Sequence, residues 1–541
     1  MTFADDKSET NPSALEQGLV PLFFLIAYVS LIAPALVNDY PLSADYMNHL
    51  SRIVILYSSD EFFKKIFETR LEIVPNLALD LFALAVKPLR LDPNAVVKSF
   101  FILSSLLVWI GAVSFYRAAH GALKIPAILA IPVCYSFVTA YGFFNFAFGA
   151  GLFLIVFAWL VRARPRPGLS VAILNLAGTA LFFSHFGALL IMIVSIFLYR
   201  IGDKTPWRRA AALSAAESVL PLGLYLLRVP NGFGSLYFTG LPLKLWAVVS
   251  AFLVSGAATA LLGAVLFALL FGLLLRAGAV RLPPKWRPLI IGLVVLSIVA
   301  PFGLQASFFT DWRLIWTALL FALLTIEVDL DVQWTRAAMV GVVASIVLVN
   351  AQALFRQTAA FNRSAAEFRQ AIEVIPPHSF VFASSYERSS CPAGAPERDD
   401  GDEVDFIYYH AMPALVTVTR ASAYPFVFAH RGAEATFFRP AFAEHFSETP
   451  RGPVDSLIAA FFVAGASIPL DWNAAGRVSG SVLGDMPMAV SAFMQGWSRR
   501  FSYVIHLAQN CPERAPYAGM FPEVARGKFF TIYRVAAKAG A

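Results

Sequence analysis

The sequence predicts a polytopic α-helical membrane protein of about 11–12 transmembrane helices, with a small extracytoplasmic α/β domain at its C-terminal end. Three observations lead there. Apolar stretches of membrane-spanning length recur from Leu19 to Leu354. Of the 541 residues, 58% are hydrophobic and 14% charged, where a soluble domain carries about 25% charged residues; mean hydropathy is +0.66. Beyond Leu354 the pattern changes to short strand-like runs and polar loops. The net charge of +7 does not indicate a nucleic-acid partner. Its basic residues fall in short loops between spans, where they set topology and meet anionic membrane lipids.

Met1–Gly18 is polar and acidic, with no basic leader and no small-residue cleavage site. Leu19–Val37 is therefore expected as a retained first helix behind a cytoplasmic tail. Further spans are expected at Val97–Tyr116, Lys124–Ala140, Phe144–Val161, Leu169–Phe183, Ala188–Ile201, Ala210–Leu227, Ala257–Leu275, Pro288–Leu304, Leu314–Ile326 and Arg336–Leu354. Leu241–Ser255 suits an interfacial helix, a re-entrant segment or a twelfth span. The loops Arg162–Arg166, Arg200–Arg209 and Arg276–Arg287 are the richest in Lys and Arg, and an inside N-terminus puts all three in the cytoplasm. The same count places the first loop (residues 38–96) and the tail (residues 355–541) on the periplasmic side of a bacterial inner membrane. In the tail, Phe361–Ile375 reads as a helix before the Pro376-Pro377 break. Ser379–Ala383, Ser502–Leu507 and Lys528–Val535 read as strands, and Cys391–Glu403 as a polar loop.

The ionisable residues beside the spans are the places where chemistry could reside. Asp45, His49 and Arg52 are spaced i, i+4, i+7 and share one helical face, opposite Tyr46, Leu50, Ile53 and Val54. That is the pattern of an amphipathic helix on the outer membrane surface. With Asp39 they form a possible site: a partly desolvated carboxylate serves as a general base, and a cation binds phosphate. A solvated helix with an internal Asp45–His49 pair accounts for the same spacing. A second such segment, Ile73–Val86, carries Pro75, Asn76 and Asp80. Asp311-Trp312-Arg313 sits at an outer span mouth, where Arg313 suits a phosphate headgroup and a local Asp–Arg pair is the alternative. Asn145 and His185 lie at outward span ends and Glu217 within a span, as binding groups or as helix–helix hydrogen bonds.

No Walker motif, glycine-rich dinucleotide fingerprint, HExxH or paired CxxC occurs, so neither nucleotide nor haem is expected. A divalent metal stays open, and no ligand set for one stands out. His378, His410, His430, His445 and His506 lack ligand spacing and read as ordinary polar residues. Cys134 reads as a core residue, and Cys391 with Cys511 as either one disulfide or two free thiols.

This layout resembles the GT-C superfamily of integral-membrane glycosyltransferases. The resemblance rests on Asp45-Tyr46-Met47-Asn48-His49-Leu50-Ser51-Arg52 soon after the first span, and on Pro75-Asn76-Leu77-Ala78-Leu79-Asp80. It implies transfer of a sugar from a polyprenyl-phosphate donor to a lipid, glycan or protein acceptor, with inversion. Asp45 or Asp39 would be the base, and Arg52, Arg313 or Lys244 would hold the lipid phosphate. His49, Asn76, Asp80, Asn145, His185 and Asp311 would complete the substrate site. The first loop departs from the family in lacking an adjacent acidic pair, which bears on metal dependence. A transporter or flippase for a lipid-linked or polymeric substrate, with Glu217 in mid-membrane, is the alternative; a non-catalytic scaffold of similar fold is the third. Donor sugar, acceptor and oligomeric state are not encoded in any motif.

Overall fold

Helix follows helix for most of the chain's length in the computed structural model, which describes residues 14–229, 236–304, 309–330, 333–386, 404, 406–429, 431–442, 454–455, 500–508, 517, 519 and 521–535. The helices are α1 (Ala14–Val37), α2 (Tyr46–Tyr57), α3 (Glu61–Ile66), α4 (Ala78–Val86), α5 (Pro93–His120), α6 (Ile131–Cys134), α7 (Phe137–Ala140), α8 (Phe144–Ala163) and α9 (Pro167–Ser184). They continue as α10 (Phe186–Gly202), α11 (Trp207–Ala216), α12 (Val219–Leu227), α13 (Leu241–Ser250), α14 (Ala257–Arg276), α15 (Arg287–Val299), α16 (Thr310–Thr325), α17 (Gln333–Ala371) and α18 (Leu415–Arg420).

Among the described residues, α1, α5, α8, α9, α14 and α17 are long and apolar enough to cross a membrane. A seventh span is formed if α11 and α12, bent by 56°, count as one. The chain is thus a polytopic helical membrane protein by composition and helix length. Its full-length spans are fewer than expected, and the sequence shows why. Lys124–Ala140 is not one helix: a 3₁₀ segment (Ile125–Ala130), α6 and α7 succeed one another, buried from Pro126 onward. Pro126 and Pro132 sit in the first turns of their segments, where they start helices, and the chain leaves helical geometry at Lys124, Tyr135 and Ser136. α15 stops at Val299, just ahead of Pro301. Conversely, the expected helix Phe361–Ile375 is the continuation of the last span. Nothing between Leu354 and Ala371 breaks it, so α17 runs 39 residues.

Two compact units emerge from the packing: Met1–Val37, Ile73–Leu79 and Ser99–Phe355 in the first; Asn38–Glu72, Asp80–Lys98 and Arg356–Ala541 in the second. The first loop therefore folds chiefly with the tail rather than with the spans that flank it. In the first unit Phe115, Phe157, Phe321, Tyr199 and Trp286 build an aromatic centre, with ring centroids 5.0–5.6 Å apart. α14 turns Ala260, Gly263, Phe267, Leu270 and Leu274 inward and leaves Leu261, Leu262, Val265, Leu269 and Leu273 exposed. Exposed leucines in such number are costly in water and at home in lipid.

The strands are β1 (Phe67–Thr69), β2 (Leu236–Tyr237), β3 (Val280–Arg281), β4 (Gly303–Leu304), β5 (Glu327–Val328), β6 (Val381–Tyr386), β7 (Thr436–Phe438), β8 (Val454–Asp455), β9 (Tyr503–Ala508), β10 (Glu523–Arg526) and β11 (Phe530–Arg534). The second unit contains the mixed sheet β10-β11-β9-β6-β8, in which β6 runs parallel to β8 and β9. Its three main strands lie within a few residues of the expected ones. A separate antiparallel pair, β1 with β7, joins the first loop to the tail.

Candidate functional site

α2 carries the residues singled out after the first span, but it does not lie on a surface. Ten of its residues are buried, from both faces of the helix. The expectation of a membrane-surface helix fails because its polar face is met by protein charges instead of water. Arg52 is fully buried. Its guanidinium lies 3.2 Å from Asp80 on α4 and 3.7 Å from Glu434, just before β7. Glu434 had no sequence signal beyond being the one acid between Arg420 and Glu444. His49 packs edge-on against Phe428, ring centroids 5.2 Å apart. Asp45 is the N-cap of α2, half-buried, and its side chain makes no capping bond. Asp39 differs sharply: its side chain is 76% exposed and meets Arg369 only at 3.9 Å. A carboxylate in open water has neither desolvation nor a fixed partner to tune it, so Asp45 is the better placed of the two.

Arg52, Asp80 and Glu434 place one cation between two carboxylates. Burial, opposed by Arg52 and reinforced by Glu434, pushes the Asp80 carboxyl up to about 6. Proximity to Arg52 alone would have lowered it.

In the first unit the expected residues form three separate pairs. Asn145, in the first turn of α8, donates to the Asn76 carbonyl (2.7 Å) and side chain (2.9 Å) and accepts from the Leu79 N–H (2.9 Å). The geometry is that of a clamp on the turn where Asn76 adopts a left-handed φ of 71°. His185 caps α10, accepting from the Gly187 N–H at 3.0 Å through Nδ1, and its Nε2 lies 3.2 Å from Arg313. Arginine only donates, so two donors compete for the single lone pair of a neutral imidazole. Arg313 also stacks over Phe143, 4.3 Å from the ring centre.

Asp311 does not pair with Arg313, two residues on, because such neighbours point to different sides of a helix. Its partner is Lys244 on α13, at 2.9 Å. The Lys244 ammonium also donates to Ser297 O (3.0 Å) and Ala300 O (2.9 Å), which spends all three protons and caps the end of α15. This pin ties three helices together and leaves Lys244 no donor for a phosphate. Lys244→Met is expected to strand the buried Asp311 and lower stability by about 3 kcal/mol. The double variant with Asp311→Leu should recover part of that loss in thermal unfolding. A double variant at least as unstable as the single one would refute the pin.

Glu217 sits at the bend between α11 and α12. Arg200 holds it through two contacts of 2.5 Å, and Ser170 through one of 2.6 Å. Asn175 bridges the break, donating to Ala216 O and accepting from Leu220 N–H, both at 2.8 Å. Cys391 and Cys511 lie outside the described residues; Cys134 is a buried free thiol. Among the described residues no group of three or more His, Cys, Asp or Glu is arranged to hold a metal. The sequence matches no protein-family model and no curated protein.

Proposed function

We propose that this chain is a membrane glycosyltransferase that moves a sugar from a polyprenyl-phosphate donor to an acceptor hydroxyl at the extracytoplasmic face, with Asp45 as general base. The supporting observation is the setting of Asp45: a half-buried carboxylate at the head of a helix whose register is locked by the buried Arg52. Such a group is partly screened from water and still partly exposed, the setting a general base needs. Asp45 removes the acceptor proton, and the oxygen attacks the anomeric carbon from the face opposite the phosphate. The C–O bond to phosphate breaks, the lipid phosphate leaves with the electron pair, and the configuration inverts. Arg52 and Lys244 are committed to buried carboxylates and leave no donor for the donor phosphate. The resemblance to GT-C enzymes and the positive-inside count support a periplasmic setting for this chemistry, with the N-terminus inside.

The test is transfer from a panel of radiolabelled polyprenyl-phosphate sugars by the reconstituted protein. Asp45→Asn should lower transfer at least about 100-fold at an unchanged melting temperature. Full activity in both Asp45→Asn and Asp39→Asn would remove the base.

The bent α11–α12 pair with Glu217 at its break favours a second reading, a transporter, since discontinuous helices carry many transport sites. Substrate uptake without product, lost in Glu217→Gln and kept in Asp45→Asn, would select it.

A further inference from the structure

We infer that Arg70 and Arg431, held side by side by Glu72, form a fork for the phosphate of a phospholipid headgroup in the outer leaflet. The site lies beyond the proposed sugar transfer and stands or falls separately from it. Its frame is the β1–β7 pair. Arg70, just past β1, donates its N–H to Ala435 O at 2.8 Å. Arg431 precedes β7, and its guanidinium lies 5.7 Å from the Phe437 ring centre. Both arginines reach one carboxylate oxygen: Nη2 of Arg70 and Nη2 of Arg431 each lie 3.2 Å from Glu72 Oε1. The two Nη2 atoms are therefore no further apart than twice that distance.

Charge and exposure separate this arrangement from an ordinary ion pair. The Glu72 side chain is 4% exposed, whereas Arg70 is 60% and Arg431 59% exposed. One buried carboxylate thus holds two cations that face water, with a net positive charge. Each guanidinium carries its N–H donors in a planar fork. Among the described residues, each gives Glu72 only one of its two Nη atoms. A carboxylate ligand has two oxygens and fills one fork; a phosphate has oxygens for both.

The path of the chain favours the bilayer as the source of that phosphate. Shortly beyond Arg70, Ile73 O accepts from the Val229 N–H at 3.1 Å, just past the end of α12. Leu77 N–H donates to Phe183 O at the end of α9 (2.6 Å), and Asn145 in the first turn of α8 clamps Asn76. The positive-inside count assigns these helix ends to the outer leaflet. The chain from Arg70 to Ile73 spans at most about 10 Å, a reach that the headgroup layer and an extended arginine side chain cover. Leu71, between Arg70 and Glu72, is 54% exposed, which is costly in water and suits the acyl boundary.

Hydrogen exchange of the full protein in nanodiscs tests the fork. Peptides covering 67–73 and 431–438 should exchange about 3–5-fold more slowly in phosphatidylglycerol than in an uncharged, phosphate-free galactolipid, with β9 peptides as the unchanged reference. Arg70→Gln/Arg431→Gln should remove that difference, and its melting temperature in detergent reports whether the fold survives. Arg70→Lys/Arg431→Lys should restore only part of it, because an ammonium lacks the fork. Equal exchange of the wild-type peptides in the two lipids would overturn the headgroup site, and that comparison needs no variant. Protection in the folded glutamine variant as large as in wild type would overturn the role of the two arginines. Slowing by millimolar pyrophosphate in galactolipid, without slowing by phosphatidylglycerol, would overturn the lipid assignment in favour of a soluble phosphate compound.

Discussion

Arg52→Met is expected to be far more damaging than Asp80→Asn, although the two side chains form one ion pair. Arg52 is the cation facing two carboxylates, with side-chain exposures of 0% for Arg52, 0% for Asp80 and 8% for Glu434. Removing it leaves two buried anions facing each other. The expected loss exceeds about 4 kcal/mol, enough to prevent accumulation or to drop the melting temperature by about 10 °C. Removing Asp80 instead leaves Arg52 paired with Glu434.

The pH dependence gives a second reading of the same cluster. Asp80 titrates near 6 in the folded protein against an ordinary value of 3.8. The folded state thus holds this proton more tightly than the unfolded chain does. Its contribution to stability is fully present below pH 3.8 and lost as pH rises through 6. At pH 7.5 ionised Asp80 costs on the order of 3 kcal/mol. Asp80→Asn should then be neutral or stabilising at pH 7.5, with its advantage over wild type shrinking at pH 5. Thermal unfolding of the three proteins at both pH values checks this. The account fails if Arg52→Met proves the milder change, or if the Asp80→Asn offset is the same at both pH values.

Gly151→Ala is expected to separate α5 from α8. A Cβ on Gly151 would stand 2.5 Å from the Leu107 carbonyl carbon, and one on Gly111 would stand 2.8 Å from Gly151 O. The obstacle is backbone on both sides, so no rotamer change relieves it. Small residues let helices approach this closely in lipid, where dispersion contacts replace the hydrophobic drive. Forcing the axes apart forfeits those contacts along the crossing, at more than about 3 kcal/mol. Gly272→Ala on α14 is the control: nothing lies within 4 Å of its Cβ position, and alanine there gains up to about 1 kcal/mol of helix propensity. Comparable melting temperatures for the two variants would refute the tight crossing.

Much of this was legible in the chain. Membrane insertion followed from composition, and the face shared by Asp45, His49 and Arg52 followed from the helical period. The strands near Val381, Tyr503 and Phe530 followed from β-branched and aromatic runs. Periodicity and transfer free energy act over a few neighbouring residues, so a linear sequence carries them whole. The charge partners were another matter. Arg52 was expected to face substrate and instead meets Asp80 and Glu434. A local Asp311–Arg313 pair was one of two readings, and Asp311 instead meets Lys244 while Arg313 meets His185. Nothing in the spacing of these residues foretells the pairing. A buried charge takes whichever opposite charge the folded chain brings within reach, and the cost of leaving it unpaired enforces the choice.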